Sequence, residues 1–416
     1  MAGGGLFLGE FKMKLTKLKK QILFWLIFGL LIRFLMMPFL AHDDFFLIYG
    51  RVAKALTGQA NFLAYSQPLF HLFHFFGYGL VRIFTPIKDV LVVFVNQDLT
   101  NPHTLKIIFL AKLPFVFFEY LSLWLLLKFF QKKDWLKVVI FWLFNPVNLY
   151  VLYAFGRFES AVTFILLWFF WLLKRQKLAW ASLLFGVLIL TRTFFLILIP
   201  LYFLLFGRGF REKAKYLLLS LGPFLIWFFY DQFFLKQLQI ASLFQEGKHS
   251  SYFFESQIGL GLGQVIYLFF LAYALLWLFV WFKEREKEKM FVLTDFLRYT
   301  FAVLILYYAT SFFHPQYFAW MIPLLAFLVA KPDYKKIVWL LVFLFLPILL
   351  FWDNFTTLGL LRPLAEFFND FSLANWLDKF FPAMKFLNLV RTFFSATGLY
   401  LLWLVFKEKD DAFKND

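Results

Sequence analysis

Along the chain, apolar runs alternate with short polar breaks rich in Lys and Arg. The breaks are 131–137 (QKKDWLK), 174–177 (KRQK), 207–215 (GRGFREKAK), 283–289 (KEREKEK) and 331–336 (KPDYKK). They predict membrane spans at about 21–41, 105–130, 137–155, 160–173, 178–191, 193–206, 216–231, 262–282, 290–310, 316–330, 336–352 and 389–406. A span takes about 20 residues. Several of these runs are shorter and rest on the charges that flank them. The basic breaks mark the cytoplasmic side, so the twelve spans leave both chain ends inside. The first run follows Lys12, Lys14, Lys17, Lys19 and Lys20, is long, contains Arg33 and lacks an A-x-A cleavage pattern. It reads as an uncleaved span rather than a signal peptide.

Three longer segments, 42–104, 232–261 and 353–388, fall on the outer side. In the first, Leu69, Leu72, Phe73, Phe76, Leu80, Ile83 and Phe84 share one helical face, and His71, His74, Tyr78 and Arg82 the opposite one. Phe45, Ile48, Tyr49, Val52 and Leu56 likewise oppose Arg51, Lys54 and Thr57, and Gly58 ends that helix. Both pieces read as interfacial helices, apolar face to lipid and polar face to water. Calling 69–84 a span would also move QKKDWLK outside, against the charge pattern. The whole chain reads as one all-α polytopic membrane domain, 1–416, with 353–388 an outer loop of unassigned role.

Composition agrees with that reading. Of the 416 residues, 62% are hydrophobic and only 16% charged, and Phe alone supplies 67. Soluble domains are about a quarter charged, and disordered chains have low hydrophobicity. The net charge of +17 would suggest nucleic acid in a soluble protein. Here more than half of the basic residues sit in the breaks and tails, so the charge reports topology. With no Cys, disulfides, iron–sulfur clusters and zinc–thiolate sites are excluded.

Five polar clusters stand out, all on the outer side or in the outer half. His42-Asp43-Asp44 follows the first span. One carboxylate could act as a general base, or the pair could hold a divalent cation such as Mg or Mn; equally it could be a solvated helix end or an N-cap. Lys112 and Glu119 lie two turns apart within the second span. A buried cation there suits a lipid phosphate, while a snorkelling lysine or a Lys–Glu contact would be structural. Asn145-Pro146 interrupts the third span and Gly156 permits a turn that carries Arg157 and Glu159. Arg192 breaks the positive-inside pattern and needs an anionic partner, a substrate phosphate or Glu159. His314, Gln316, Tyr317 and Trp320 fall within ten residues; an aromatic belt accounts for Tyr and Trp but not for His and Gln. His71 and His74, with His42, could bind metal, though they fit better as polar-face residues. No GxxxxGK[ST] or GxGxxG motif occurs on the cytoplasmic side.

The order of these features resembles the membrane-embedded C-superfamily (GT-C fold) glycosyltransferases, in particular the GPI first mannosyltransferase and its polyprenyl-phosphate-mannose-dependent relatives. The likeness rests on Asp44 with Gly58 fourteen residues on, Tyr65-Ser-Gln-Pro68-Leu69, Ala111-Lys112-Leu113 with Glu119, Leu143-Phe144-Asn145-Pro146, Gly156-Arg157-Phe158-Glu159-Ser160, and Pro315-Gln316-Tyr317-Phe318-Ala319-Trp320. It covers most of residues 20–330. This chain has His42 where the family's acidic motif has Asp, and Gly156-Arg157 where the family has Arg-Gly.

The resemblance implies transfer of a sugar, mannose by analogy, from a polyprenyl-phosphate donor to an acceptor hydroxyl on a lipid, glycan or protein, with inversion. It implies Asp44 or Asp43 as base, with Lys112, Arg157, Arg192 and His314 stabilising the leaving phosphate and Gln316, Tyr317 and Glu159 orienting the sugar or those cations. The expected location is the plasma membrane of a prokaryote or the endoplasmic reticulum of a eukaryote, active site to the outside or lumen, with no nucleic-acid partner. The alternatives are a lipid-linked-sugar flippase or transporter, which would show midplane ionisable residues and paired broken helices in two halves, and a non-catalytic scaffold.

Overall fold

A computed structural model describes residues 4–59, 68–207, 209–235, 251–261, 263–285, 293–351, 354–365, 367–368, 371–407 and 413. The Tyr65-Ser66-Gln67 stretch, Arg208, residues 286–289 and most of the C-terminal tail lie outside these described residues.

The chain folds into helices α1 (Gly4–Met36), α2 (Asp43–Leu56), α3 (Pro68–Phe84), α4 (Ile87–Phe94), α5 (Thr104–Leu127), α6 (Trp135–Phe144) and α7 (Pro146–Leu149). A π-helical turn, Tyr150–Ala154, continues α7. Then follow α8 (Glu159–Lys174), α9 (Leu178–Thr191), α10 (Ile199–Leu205) and α11 (Phe210–Tyr230). After a β-hairpin come α12 (Leu268–Arg285), α13 (Leu293–Thr310), α14 (Ile322–Val329), α15 (Pro332–Leu350), the short α16 (Leu373–Leu377) and α17 (Ala383–Lys407). 3₁₀ turns lead into α10 and α14. Each predicted apolar run carries a helix. Among the described residues four helices are long and apolar enough to cross a membrane: Thr104–Leu127, Lys132–Ala154, Phe210–Phe234 and Ala383–Lys407. Shorter apolar helices lie at Leu178–Thr191, Thr193–Leu205, Leu268–Lys283 and Pro315–Val329. This is the architecture of an all-α integral membrane protein.

One feature departs from an all-α reading. Between α11 and α12, β1 (Gln257–Gly261) and β2 (Gln264–Tyr267) pair antiparallel, Gln257 opposite Tyr267, with a bulge between Gly259 and Gly261, so β2 stands where the start of a span was expected. Helix α4 is also unanticipated.

The bundle is held by successive helix pairs. Helix α5 packs on α8, α8 on α9 and α9 on α11; α1 packs on α6, α6 on α14, α14 on α15, and α17 closes against α13 and α15. Interior contacts are largely aromatic: Phe318 stacks on Phe345 at 4.3 Å between centroids, and Phe185 on Tyr202 at 5.1 Å. Phe and Leu also cover the outside, as with Leu23, Phe24 and Ile27 on α1 and Phe229 and Phe233 at the end of α11. An apolar exterior over an apolar core suits lipid as the solvent.

Three of the basic loops, 131–137, 174–177 and 331–336, lie near one another among the described residues. Lys174 Nζ donates to the carbonyl of Lys128 at 2.8 Å, tying the loop after α8 to the end of α5. Lys137 Nζ pairs with Asp134 at 2.9 Å and reaches the carbonyl of Ala330. Glu159 stands at the opposite end of α8 from Lys174, about 22 Å away along the axis at 1.5 Å per residue.

Two outer-loop helices behave differently. Helix α2 packs its apolar face into the protein: Phe45, Ile48, Tyr49 and Val52 are buried, Arg51, Lys54 and Leu56 exposed, and Gly58 takes φ +75° beyond the helix end. Helix α3 keeps apolar residues on the outside, but its polar face turns into the protein rather than to water. His71, His74, Tyr78 and Val81 are buried, while Leu72, Phe76, Ile83 and Phe84 are exposed. The polar face turns inward because α3 packs along α5, α2 and α9 rather than lying free at a water interface. Gly77 makes that approach possible: a Cβ there would stand 2.6 Å from the carbonyl oxygen of Ala111 and overlap Tyr49 Oη. Tyr49 Oη itself donates to the same carbonyl at 2.6 Å.

Candidate active site at one end of the helix bundle

The acidic pair sits in the first turn of α2, where carboxylates favour the helix dipole. Neither Asp is the N-cap. His42 takes that position, and its Nδ1 accepts from the Asp44 N–H at 3.1 Å. The His42 ring stacks on Phe155 at 4.0 Å, so it contributes to packing as well as capping.

The two carboxylates face different arginines. Asp44 Oδ2 pairs with Arg157 Nη2 at 3.0 Å. Arg157 reaches it because Asn145-Pro146 ends α6 and restarts the helix. Asn145 Oδ1 accepts from the Val147 N–H at 2.9 Å, and the π turn then runs into Gly156 at φ +78°. A Cβ on Gly156 would stand 2.9 Å from the ring of Phe45, so a side chain there would push the turn away from α2. Asp43 Oδ1 pairs with Arg362 Nη1, and the Arg362 guanidinium lies over the Phe46 ring at 4.8 Å. The described residues 354–362 of segment 353–388, to which the sequence assigns no role, therefore pack beside the acidic pair. The Ala41 N–H also donates to the Leu360 carbonyl at 2.8 Å, and Tyr150 Oη to that of Thr356.

Beside this lies a second buried pair. Arg192 Nη2 meets Glu159 Oε1, and Glu159 Oε2 accepts from Trp320 Nε1 at 2.8 Å. The Arg192 guanidinium stands 5.5 Å from the Tyr317 ring centroid, and Tyr317 stacks on Trp320 at 4.5 Å. Tyr308 Oη fixes that turn by donating to the Tyr317 carbonyl at 2.6 Å. The carboxylate partner of Arg192 is thus Glu159, and Arg157 and Glu159 do not form a solvated pair with each other. Gln316 is 1% exposed, and its amide oxygen and nitrogen have no hydrogen-bond partner among the described residues.

Electrostatics join the two halves. Burial raises the Asp44 carboxyl, but Arg157 first, then His42, His314 and Arg51, outweigh it and hold Asp44 below its ordinary value. His314 is pushed down to about 4, by burial first and then by Arg157 and Arg192 against the opposing pull of Asp44. His71 is also pushed down to about 4, by burial first and then Arg51, Arg192 and Arg157. His314, expected as a cation, is therefore neutral near pH 7. His71, expected to face water, belongs to the buried surroundings of the site.

Lys112 stands apart from this cluster. It is fully buried, and its Nζ donates to the carbonyls of Met37 at 3.3 Å, Tyr153 at 2.7 Å, and Leu40. Nor does it pair with Glu119. Arg33 does so: its Nε and Nη2 reach the two Glu119 oxygens at 2.6 and 2.5 Å, and Tyr153 Oη donates to the same carboxylate. Sequence reasoning passed over Arg362; it noted Arg33, Trp320 and His71 without giving any of them a part in handling a substrate. Arg33 carried a usable signal, a charge inside an apolar run. Arg362 carried the one that pointed to Arg192, an outside arginine.

Asp43 and Asp44 are each taken by an arginine, and among the described residues no group of three His, Cys, Asp or Glu side chains could hold a metal ion. No family model, curated protein or solved structure matches the chain.

Proposed function

We propose that this protein is an integral-membrane glycosyltransferase of the GT-C type, with twelve spans, that transfers a sugar from a polyprenyl-phosphate donor to an acceptor hydroxyl. One observation carries the reading. A part-exposed carboxylate, Asp44, stands beside the guanidinium of Arg157, with Arg192 and the stacked Tyr317 and Trp320 close by, at one end of an apolar helix bundle. Buried guanidinium groups suit a phosphate delivered from the lipid. The stacked rings suit the apolar face of a sugar. The unpaired Gln316 amide offers a donor and an acceptor to its hydroxyls.

In the proposed reaction the acceptor O–H gives its proton to Asp44. The oxygen attacks the anomeric carbon from the side opposite the phosphate. The bond from that carbon to the phosphate oxygen breaks, and its electron pair leaves on the polyprenyl phosphate, inverting the configuration. Arg157 has two tasks. In the ligand-free protein it holds Asp44 ionised. When a donor phosphate draws on the same guanidinium, Asp44 loses part of that stabilisation and becomes a stronger base. Preorganised cations stabilise the developing phosphate charge. Glu159 and Trp320 hold Arg192 in place for that purpose.

The test is transfer of radiolabelled mannose from polyprenyl-phosphate mannose, in proteoliposomes, to a panel of lipid and peptide acceptors. Asp44→Asn should insert and fold as the parent does and lose at least about 100-fold in turnover, the usual scale for a general base. Asp43→Asn, whose carboxylate faces Arg362, should retain more. Full activity in both variants removes the proposed base. Movement of lipid-linked sugar across the bilayer without any transfer replaces the enzyme by a flippase.

A further inference from the structure

We infer that Lys112 is a positioning residue that fastens together the two chain segments carrying Asp44 and Arg157. Three carbonyls converge on its ammonium. Met37 and Leu40 belong to the stretch just after α1, and Leu40 lies four residues before Asp44. Tyr153 lies in the π turn, four residues before Arg157. Lys112 comes from a third element, α5, and is fully buried. Its Nζ also lies 5.1 Å from the Phe45 ring centroid, next to Asp44 itself.

The chemistry favours such a clamp. A helix C-terminus ends in carbonyls without intrahelical partners and carries partial negative charge, which a cation satisfies. A π turn likewise departs from the α-helical pattern of carbonyl acceptance. An ammonium has three donors and no acceptor, and here three carbonyls take them. A lysine so engaged has no donor left for a phosphate, so it acts on the site through backbone geometry. Both segments then lead by short paths into the Asp44–Arg157 pair at 3.0 Å. Nearby, Arg33 on Glu119, with Tyr153 Oη on the same carboxylate, braces α1, α5 and the π turn independently. Loss of Lys112 should therefore loosen the local junction and leave the bundle standing.

The kinetic part of the test rests on the transferase reading; the structural part does not. The chain has no Cys, so an Asp44→Cys/Arg157→Cys variant carries two thiols alone. A short bifunctional thiol reagent should bridge them in high yield with Lys112 present. Lys112→Met should cut the yield severalfold at unchanged detergent-extracted, monodisperse protein, and Lys112→Arg should recover part of it. Lys112→Gln, which keeps two N–H donors without the charge, should fall between, and serves where Lys112→Met does not accumulate. Undiminished bridging in Lys112→Met or Lys112→Gln overturns the proposal. With native Asp44 and Arg157, Lys112→Met should lower kcat by at least about tenfold while donor KM stays within about threefold, the pattern of lost transition-state alignment. A raised donor KM with kcat preserved would make Lys112 a direct phosphate ligand and also overturn the proposal. Lys112-dependent bridging in a parent protein that transfers no sugar would leave the clamp standing and remove the transferase.

Discussion

Asp44, His314 and His71 feel the same guanidinium groups, so protons are the natural probe of the site. The two histidines sit near 4 in the folded protein against an ordinary value of 6.5. As pH falls through about 6.5 the unfolded chain takes up protons at both, and the folded protein does so only near 4. Native stability is therefore greatest above that window and falls as the solution is acidified through it, by at most about 3 kcal/mol for each histidine. Asp44 adds a loss of the same sign at lower pH, since its folded value lies below the ordinary carboxyl value of 3.8. Thermal unfolding in detergent between pH 7.5 and 4.5 should show the first decline, and His71→Gln and His314→Gln should each flatten it. An unchanged slope in both variants would mean that burial at these rings is weaker than described. At this scale the sequence could single out candidate residues but not the partners they would take. Asp44, Arg157, Glu159, Arg192, His314, Gln316 and Tyr317 could be singled out as polar groups that an apolar chain has no other reason to contain. The pairing of Arg192 with Glu159 was one of two options open in advance. Arg33 with Glu119 and Arg362 with Asp43 were not legible, because each joins residues more than 80 positions apart.

Helix α3 shows what periodicity can and cannot say about an element. Of its expected apolar face, Leu72, Phe76, Ile83 and Phe84 are exposed, while Phe73 packs on Phe118 and Phe158. Its polar side is buried rather than turned to water, because a 3.6-residue period separates two faces without saying what lies beyond either. In a soluble protein the apolar face packs inward; beside a bilayer the protein interior can be the more polar side. Gly77 decides the matter for α3, since only a residue without a side chain allows its contact with Ala111 and Tyr49. Gly77→Ala should then destabilise the folded protein by about 1–3 kcal/mol, the usual cost of overpacking, read as a lower unfolding temperature in detergent. Gly79→Ala, on the same helix with open space at its Cβ, is the control and should cost little or even help through helix propensity. Equal effects at the two positions would mean that α3 does not pack as described.

For the whole molecule, the run of apolar segments and basic breaks was enough to anticipate a helical membrane protein and the clustering of three of its basic loops. The β-hairpin and the docking of 354–362 were not, since both depend on contacts that no local pattern announces. Sidedness follows from the same pattern and is testable with single cysteines in the Cys-free chain. Gln131→Cys and Lys335→Cys should react with a membrane-impermeant maleimide from one face of sealed vesicles, and Lys88→Cys from the other. Labelling of all three from one face would break the alternation that the proposed twelve spans require. The contact between Asp43 and Arg362 has a consequence in time. The two residues lie more than 300 positions apart, and at ordinary synthesis rates that interval takes on the order of tens of seconds. Throughout it, the first-made half of the site waits in the membrane with Asp43 and the Ala41 N–H lacking their later partners. The site is therefore one of the last parts of the protein to close, and a chain released early would be membrane-inserted, largely helical and incomplete at its acidic pair.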